Sequence, residues 1–327
     1  METIFRKNLS KSMAYDDYWR FSALRQQRFI DTLYNIKSDH SPILSEYKFT
    51  NCYRVLDRTS QYLVRQITSD DKQSPANIFF RTIIFKVFNK IETWEALEKE
   101  LGPLTIENFN EKHYANTLTT IKKNKLKIYS AAYIMPSGKR EWGSAIKHEN
   151  NLRMIRHMLS LEMHNSIWDL NHLKRIYEMF LKIPSIGRFL AYQYATDIAY
   201  SSFSDALECQ FVMAGPGAKR GIIKCFPRAT EEDFTYIIEK MAAEQEHEFK
   251  RLELSFIPIK NRPLQLIDCQ NIFCEVDKYL RVKRPELGKP GSRIKQLYKP
   301  NTKPIDYCLP KKWNADFKLG HHNANYI

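Results

Sequence analysis

The six cysteines of the sequence, Cys52, Cys209, Cys225, Cys269, Cys274 and Cys308, form no Cys-x-x-Cys pair and no Cys/His set with zinc-finger spacing. A structural zinc site and a four-cysteine iron–sulfur centre are therefore not expected, and reduced thiols are the default. No apolar run reaches transmembrane length, so neither a spanning helix nor a membrane partner is expected. The first residues, METIFRKNLSKSMAYDDYW, carry basic groups with no apolar core behind them. That is unlike a secretory signal and points to the cytoplasm. The sequence also lacks a G-x-x-x-x-G-K-[ST] segment, a dinucleotide fingerprint and any βαβ rhythm, which removes the ordinary P-loop and Rossmann sites. No repeat or heptad array is present. The expectation is a protein with no resident metal and no cofactor.

What the sequence has in abundance is positive charge. Its 51 Lys and Arg against 37 Asp and Glu give a formal net charge of +14, which favours a polyanionic partner, nucleic acid before anionic membrane. With 327 residues, 43% of them hydrophobic and 13% aromatic, the chain has enough apolar surface for one large domain or two closely packed ones.

Apolar periodicity predicts helices throughout. Amphipathic patterns run over 15–34 and 51–67, the latter with Gln61 on another face. The nearly all-apolar stretch 75–89 opens on Pro75, suited to a helix start. Arg81 interrupts it, and a buried Arg needs a partner: either a core salt bridge or a bound ligand. Further helices are expected over 94–101, 111–135, 149–161, 168–182, 185–199, 230–250 and 266–280. The fold class expected is all-α, with a helical domain over 1–281. A basic extension over 282–327, rich in proline, packs on it or lies beside it.

The sharpest local signal is LKRIYEMFLKIPSIGRFLAYQYATDIAY, residues 173–200. Pro184 ends one helix and Gly187 provides the turn into the next. Ile183 and Ile186 fold back between the two. Around Ser185, Gly187 and Arg188 the N–H groups of the new helix converge on one point, where a DNA phosphate fits. A monovalent cation can bridge the turn carbonyls to that phosphate. The I-P-x-I-G turn resembles the helix-hairpin-helix of base-excision DNA glycosylases. The lyase branch of that superfamily places a Lys two residues beyond the final Gly, where this sequence has Phe189. That resemblance implies a catalytic Asp about twenty residues further on. Glu208 stands nearest to that position, with Asp205 second and Asp197 a rival that either pairs with a base or faces a pocket.

Beyond these acids lies MAGPGAKRG, in which Gly215 and Gly217 flank Pro216, and Lys219 and Arg220 follow. Its expected structure is a tight loop that lets a phosphate or flipped nucleotide approach the backbone. In FCEVDKYLR, Glu275 meets Lys278 and Tyr279 at helical separations, as a stabilising pair or as part of a pocket. Tyr192, Phe211 and Trp168 are the aromatics expected to line a base pocket.

Taken together, YRVLDRTSQYL, IFFRTIIFKVFNKIETW, IPSIGRFLAYQYATDIAY, AGPGAKRG and FCEVDKYLR resemble the helical domain of hydroxymethyluracil DNA kinases and the putrescinyl/glutamyl thymine pyrophosphorylases of phages. That family is glycosylase-like in fold and includes an anti-phage glycosylase acting on glucosylated hydroxymethylcytosine. The resemblance implies a protein that handles modified bases in double-stranded phage DNA. The expected activity is monofunctional: hydrolysis of the N-glycosidic bond of a bulky modified pyrimidine, leaving an abasic site, in anti-phage defence. Two alternatives stand beside it. One is a DNA hypermodification enzyme, a kinase requiring ATP and Mg²⁺ or a transferase of an activated pyrimidine. The other is a DNA-binding module without catalysis.

Overall fold

Ser74 and Pro75 show how the chain starts its most apolar helix. The Ser74 side chain accepts from the Asn77 N–H, Pro75 takes the first turn, and the helix runs to Phe88 before Asn89 turns left-handed at φ 47°. A helix apolar on all sides must be enclosed, and Asn77 through Phe88 are all buried. The computed structural model describes residues 9–37, 41–288, 291–294, 296–299 and 305–313. Much of the 282–327 extension lies outside them.

The longer helices are α1 (Met13–Leu33), α2 (Pro75–Phe88), α3 (Ile91–Leu101) and α4 (Glu111–Lys123). There follow α5 (Lys147–Ser160), α6 (Leu173–Leu181) and α7 (Arg188–Ile198). The last three are α8 (Pro216–Cys225), α9 (Phe234–Arg251) and α10 (Leu266–Lys283). The protein is all-α: among the described residues there are only two isolated bridges, Tyr47 with Leu297 and Ile259 with Arg262, and no sheet. No described helix is long and apolar enough to cross a membrane.

Three expected elements differ. The continuous helix over 51–67 is broken into a 3-10 turn at Arg54–Leu56, a short helix at Arg58–Leu63 and a wider π-turn at Val64–Thr68. Side chains of α1 and α10 take backbone hydrogen bonds of Thr50, Asn51 and Arg54. The helix over 111–135 stops at Lys123, with Lys125 left-handed at φ 61°. The glycine-rich stretch after Ala214 is the start of α8 rather than a loop, with Gly215 as N-cap and Pro216 in the first turn.

The described chain divides into two units. Unit 1 comprises the described residues within Met1–Asp57 and Phe211–Tyr307, and unit 2 those within Arg58–Gln210 and Cys308–Asp316. In unit 1, α8 lies directly on α10. A Cβ at Gly221 would stand 2.0 Å from the Phe273 carbonyl oxygen, and one at Gly217 would stand 2.2 Å from Cys274 Sγ. Close backbone approach is therefore what these glycines serve. α1 also packs on α10 through Tyr18, whose ring lies 4.5 Å from that of Phe273.

In unit 2, α2 forms the centre. Phe79 stacks on Phe180 of α6 at 6.3 Å and 2°, and Tyr62 stacks on Phe85 at 5.5 Å and 11°. Arg81 is buried there, donating to the Leu104 and Gln66 carbonyls, 3.7 Å from Glu98, with its guanidinium 5.0 Å from the Trp94 ring centre. Gln61 exchanges two hydrogen bonds with the Cys308 backbone, at 2.9 and 2.8 Å.

Candidate functional site

The turn between α6 and α7 is built by three hydrophobic or stereochemical constraints. Ile183 and Ile186 are buried, the Ile183 N–H donates to Phe180 O at 3.1 Å, and the Ile186 N–H donates to Ile183 O at 3.0 Å. The left-handed residue is Ser185, at φ 73°, and not Gly187. Gly187 is the extended N-cap of α7, at φ −83° and ψ 170°, and a Cβ there would meet nothing within 4 Å. The expectation that Gly187 supplies the turn is corrected accordingly: the fold itself would accept a side chain at that position. The Ser185 hydroxyl accepts from Trp142 Nε1–H at 3.1 Å, which holds the turn from outside.

No side chain caps the first N–H groups of α7, whose partial positive charge faces an open depression of about 610 Å³ lined by Pro136 and residues 185–190. Arg188 is exposed beside it. Such a surface can receive an anion.

The acids expected to work with this turn are separated by their environments. Asp197, on α7, is enclosed and lies 2.8 Å from Lys86 Nζ of α2. Lys86 in turn lies 3.8 Å from the ring centre of Tyr133, which stacks on Phe189 at 5.9 Å and 18°. Asp205 is exposed, whereas Glu208 is buried at 4%. Their segment is clasped by Lys312, which donates to Ser204 O at 2.9 Å and Ala206 O at 2.6 Å. Tyr192 has no exposed surface, Trp168 is half-buried against Phe203 at 5.9 Å, and Phe211 is half-buried within unit 1.

In unit 1 the basic pair after the glycines is engaged. Lys219 pairs with Glu231, and Arg220 lies 3.0 Å from Asp277, which also holds Lys224 at 3.1 Å and Arg281 at 2.7 Å. These cations hold the Asp277 carboxyl below the usual range against the opposing effect of burial. The N–H of Gly215 donates to Gln270 Oε1 at 3.3 Å. The expected phosphate-receiving loop is thus a helix start packed on α10, with its charges already paired. Tyr279 is buried against Phe21 at 5.1 Å.

Sequence reasoning missed a polar cluster around residues 50–57. Glu275 accepts from the Thr50 N–H at 2.9 Å and pairs with Lys278 at 2.5 Å. Asn271 donates to Thr50 Oγ1 and Asn51 O, Arg25 Nε donates to Thr50 O at 2.8 Å, and Asp268 accepts from the Arg54 N–H at 2.8 Å. Asp57 accepts from the Asn51 N–H at 2.9 Å. Burial pushes its carboxyl up to about 6, with Glu275 adding to the rise while the Asn51 N–H, Arg25 and Arg54 oppose it. The available signal was the polar set Asp268, Gln270, Asn271 and Glu275 within an apolar helix. Among the described residues no His, Cys, Asp and Glu cluster suits a metal ion.

An all-helical protein with an open, cationic helix start is the class these features define. The family model for the helical domain of 5-hmdU DNA kinase matches residues 12–289, and the chain belongs to that family. A 5-hmdU DNA kinase of Bacillus phage SP10 is 25% identical over 290 residues, covering 83% of this chain and 45% of the phage protein. The chain thus spans under half the length of that curated relative. No solved structure matches it. These matches overturn the expected DNA glycosylase, a hydrolase leaving abasic sites: both descriptions name a DNA kinase. A kinase moves a phosphoryl group and leaves the N-glycosidic bond intact.

Proposed function

We propose that the chain is the DNA-holding, base-presenting helical part of a 5-hydroxymethyldeoxyuridine DNA kinase. The observation that carries this reading is the match of residues 12–289 to that helical domain. The turn before α7 supports it as a helix-hairpin-helix contact. Its N–H groups are uncapped, the depression in front of them is open, and Arg188 stands exposed at its edge. The net charge of +14 favours the same partner. In the reaction, the hydroxymethyl oxygen attacks the γ-phosphorus of ATP, a new P–O bond forms, the hydroxyl proton is lost and ADP leaves. In-line attack needs room around that oxygen, which an extruded nucleotide provides. The sequence has no G-x-x-x-x-G-K-[ST] segment, so the reading gives this chain the duplex and assigns ATP and Mg²⁺ to a separate phosphotransfer module.

The test is fluorescence anisotropy of the purified chain on matched duplexes carrying 5-hydroxymethyluracil or thymine, at several salt concentrations. Binding that weakens as salt rises and prefers the hydroxymethyluracil duplex is expected. No binding, or equal affinity for both duplexes, overturns the reading. Transfer of label from γ-labelled ATP to the DNA by this chain alone overturns the proposed division of labour.

A further inference from the structure

Between α4 and α5 the chain crosses unit 2 without a long helix, and one short stretch of it is unusually well fixed. Tyr133 is left-handed at φ 54°, a conformation that side chains with a Cβ disfavour. Its ring lies flat on Phe189 and over the Lys86 ammonium. Two residues on, Met135 is buried and its sulfur accepts from the Tyr194 hydroxyl at 2.8 Å. Ile134, held between these two anchors, is 67% exposed.

Pro136 follows and lines the same depression as residues 185–190. The short helix Lys139–Trp142 then ties the segment to the turn through the Trp142 hydrogen bond to Ser185. Lys139 and Arg140 are exposed on that helix.

A single exposed isoleucine ordinarily needs no explanation. This one differs in three respects that bear on each other. Met135 is buried in the core and Tyr133 is held by Phe189 and the Lys86 ammonium, so the isoleucine's direction is fixed. The backbone beside it adopts a strained conformation that aims it outward. It stands on the segment that borders the anion-receiving turn and carries exposed cations on its other side.

We propose that Ile134 is an apolar wedge that enters the base stack of duplex DNA seated on the turn at residues 185–190. It fills the space left by an extruded nucleotide. This rests on the DNA reading above. Extrusion opens a gap in the stack that water fills poorly, and an apolar side chain inserted there offsets the lost stacking. Lys139 and Arg140 meet the flanking phosphates.

The experiment uses the full chain and a duplex with 2-aminopurine next to 5-hydroxymethyluracil, reading fluorescence and anisotropy together. The unsubstituted chain is expected to raise 2-aminopurine fluorescence several-fold on binding. At protein concentrations that saturate the duplex by anisotropy, Ile134→Ala should lose most of that rise, whereas Ile134→Leu should retain it. A full rise with Ile134→Ala overturns the wedge, as does binding by the unsubstituted chain with no rise. If the unsubstituted chain binds no DNA, it is the underlying DNA reading that fails.

Discussion

Lys86 Nζ lies 2.8 Å from Asp197 Oδ2, with the two side chains only 4% and 1% exposed. An enclosed ion pair is only weakly favourable as a whole, because both charges lose their hydration, but removing one partner leaves the other charge unsupported. Lys86→Met should therefore cost about 3–5 kcal/mol of stability. The double variant Lys86→Met with Asp197→Leu should recover most of it. Urea denaturation of the four members of the cycle checks this, and equal losses in the single and double variants would count against it.

The approach of α8 to α10 sets a second expectation. A methyl at Gly221 meets the Phe273 backbone oxygen, which cannot move without shifting α10, while a methyl at Gly217 meets chiefly the Cys274 side chain. Gly221→Ala should then be the more damaging of the two, at about 2–4 kcal/mol or a failure to fold, with Gly217→Ala nearer 1–2 kcal/mol. Pairing Gly217→Ala with Cys274→Ala should restore part of its loss. Thermal unfolding of the three variants orders them.

Asp57 carries a pH dependence with a definite sign. Its carboxyl is pushed up to about 6 in the folded chain, above the ordinary range near 4 for the unfolded chain. Between these values the folded state holds the proton more tightly, so this group's contribution to stability falls as pH rises from 4 through 6. Asp57→Asn keeps an acceptor for the Asn51 N–H and abolishes the charge. It should be more stable than the parent by about 1–3 kcal/mol at pH 7.5, with the gap closing by pH 4. Denaturation curves of both proteins at the two pH values decide it, and a gap that widens toward acid contradicts the assignment.

These residues also show where the sequence was informative. Helical periodicity located nearly every long helix, because an apolar stripe at that spacing has few other ways to be buried. The turn at residues 183–187 was legible from Pro184 and Gly187, although Ser185 is the left-handed residue. The start of α8 was not legible. Gly, Pro and Gly in succession are loop residues by local preference, and only α10 lying against them, long-range in sequence, makes them a helix start. The same holds for the cluster at residues 50–57. Its helical pattern is overridden by Arg25, Asp268, Asn271 and Glu275, whose hydrogen bonds hold the chain in an irregular path. Charged groups in apolar helices announced that partners exist, but Lys86 with Asp197 and Arg81 with Glu98 are pairings that only the tertiary structure specifies.

Gly187 separates stability from binding. It is the N-cap of α7, has no side-chain cap, and has free space where a Cβ would stand. Asp is a better N-cap than Gly, since its carboxylate accepts from the first-turn N–H groups and complements the helix dipole. Gly187→Asp should therefore leave the fold intact and raise its stability by a few tenths of a kcal/mol, up to about 1 kcal/mol. The same carboxylate occupies the N–H groups assigned to a DNA phosphate and adds repulsion, so duplex affinity should fall by about tenfold or more. Gly187→Ala offers no acceptor and should change affinity far less. Thermal melts and anisotropy titrations on the three proteins test both effects. Unchanged affinity in a well-folded Gly187→Asp chain would remove the turn from the DNA contact, whatever else in the molecule binds the duplex.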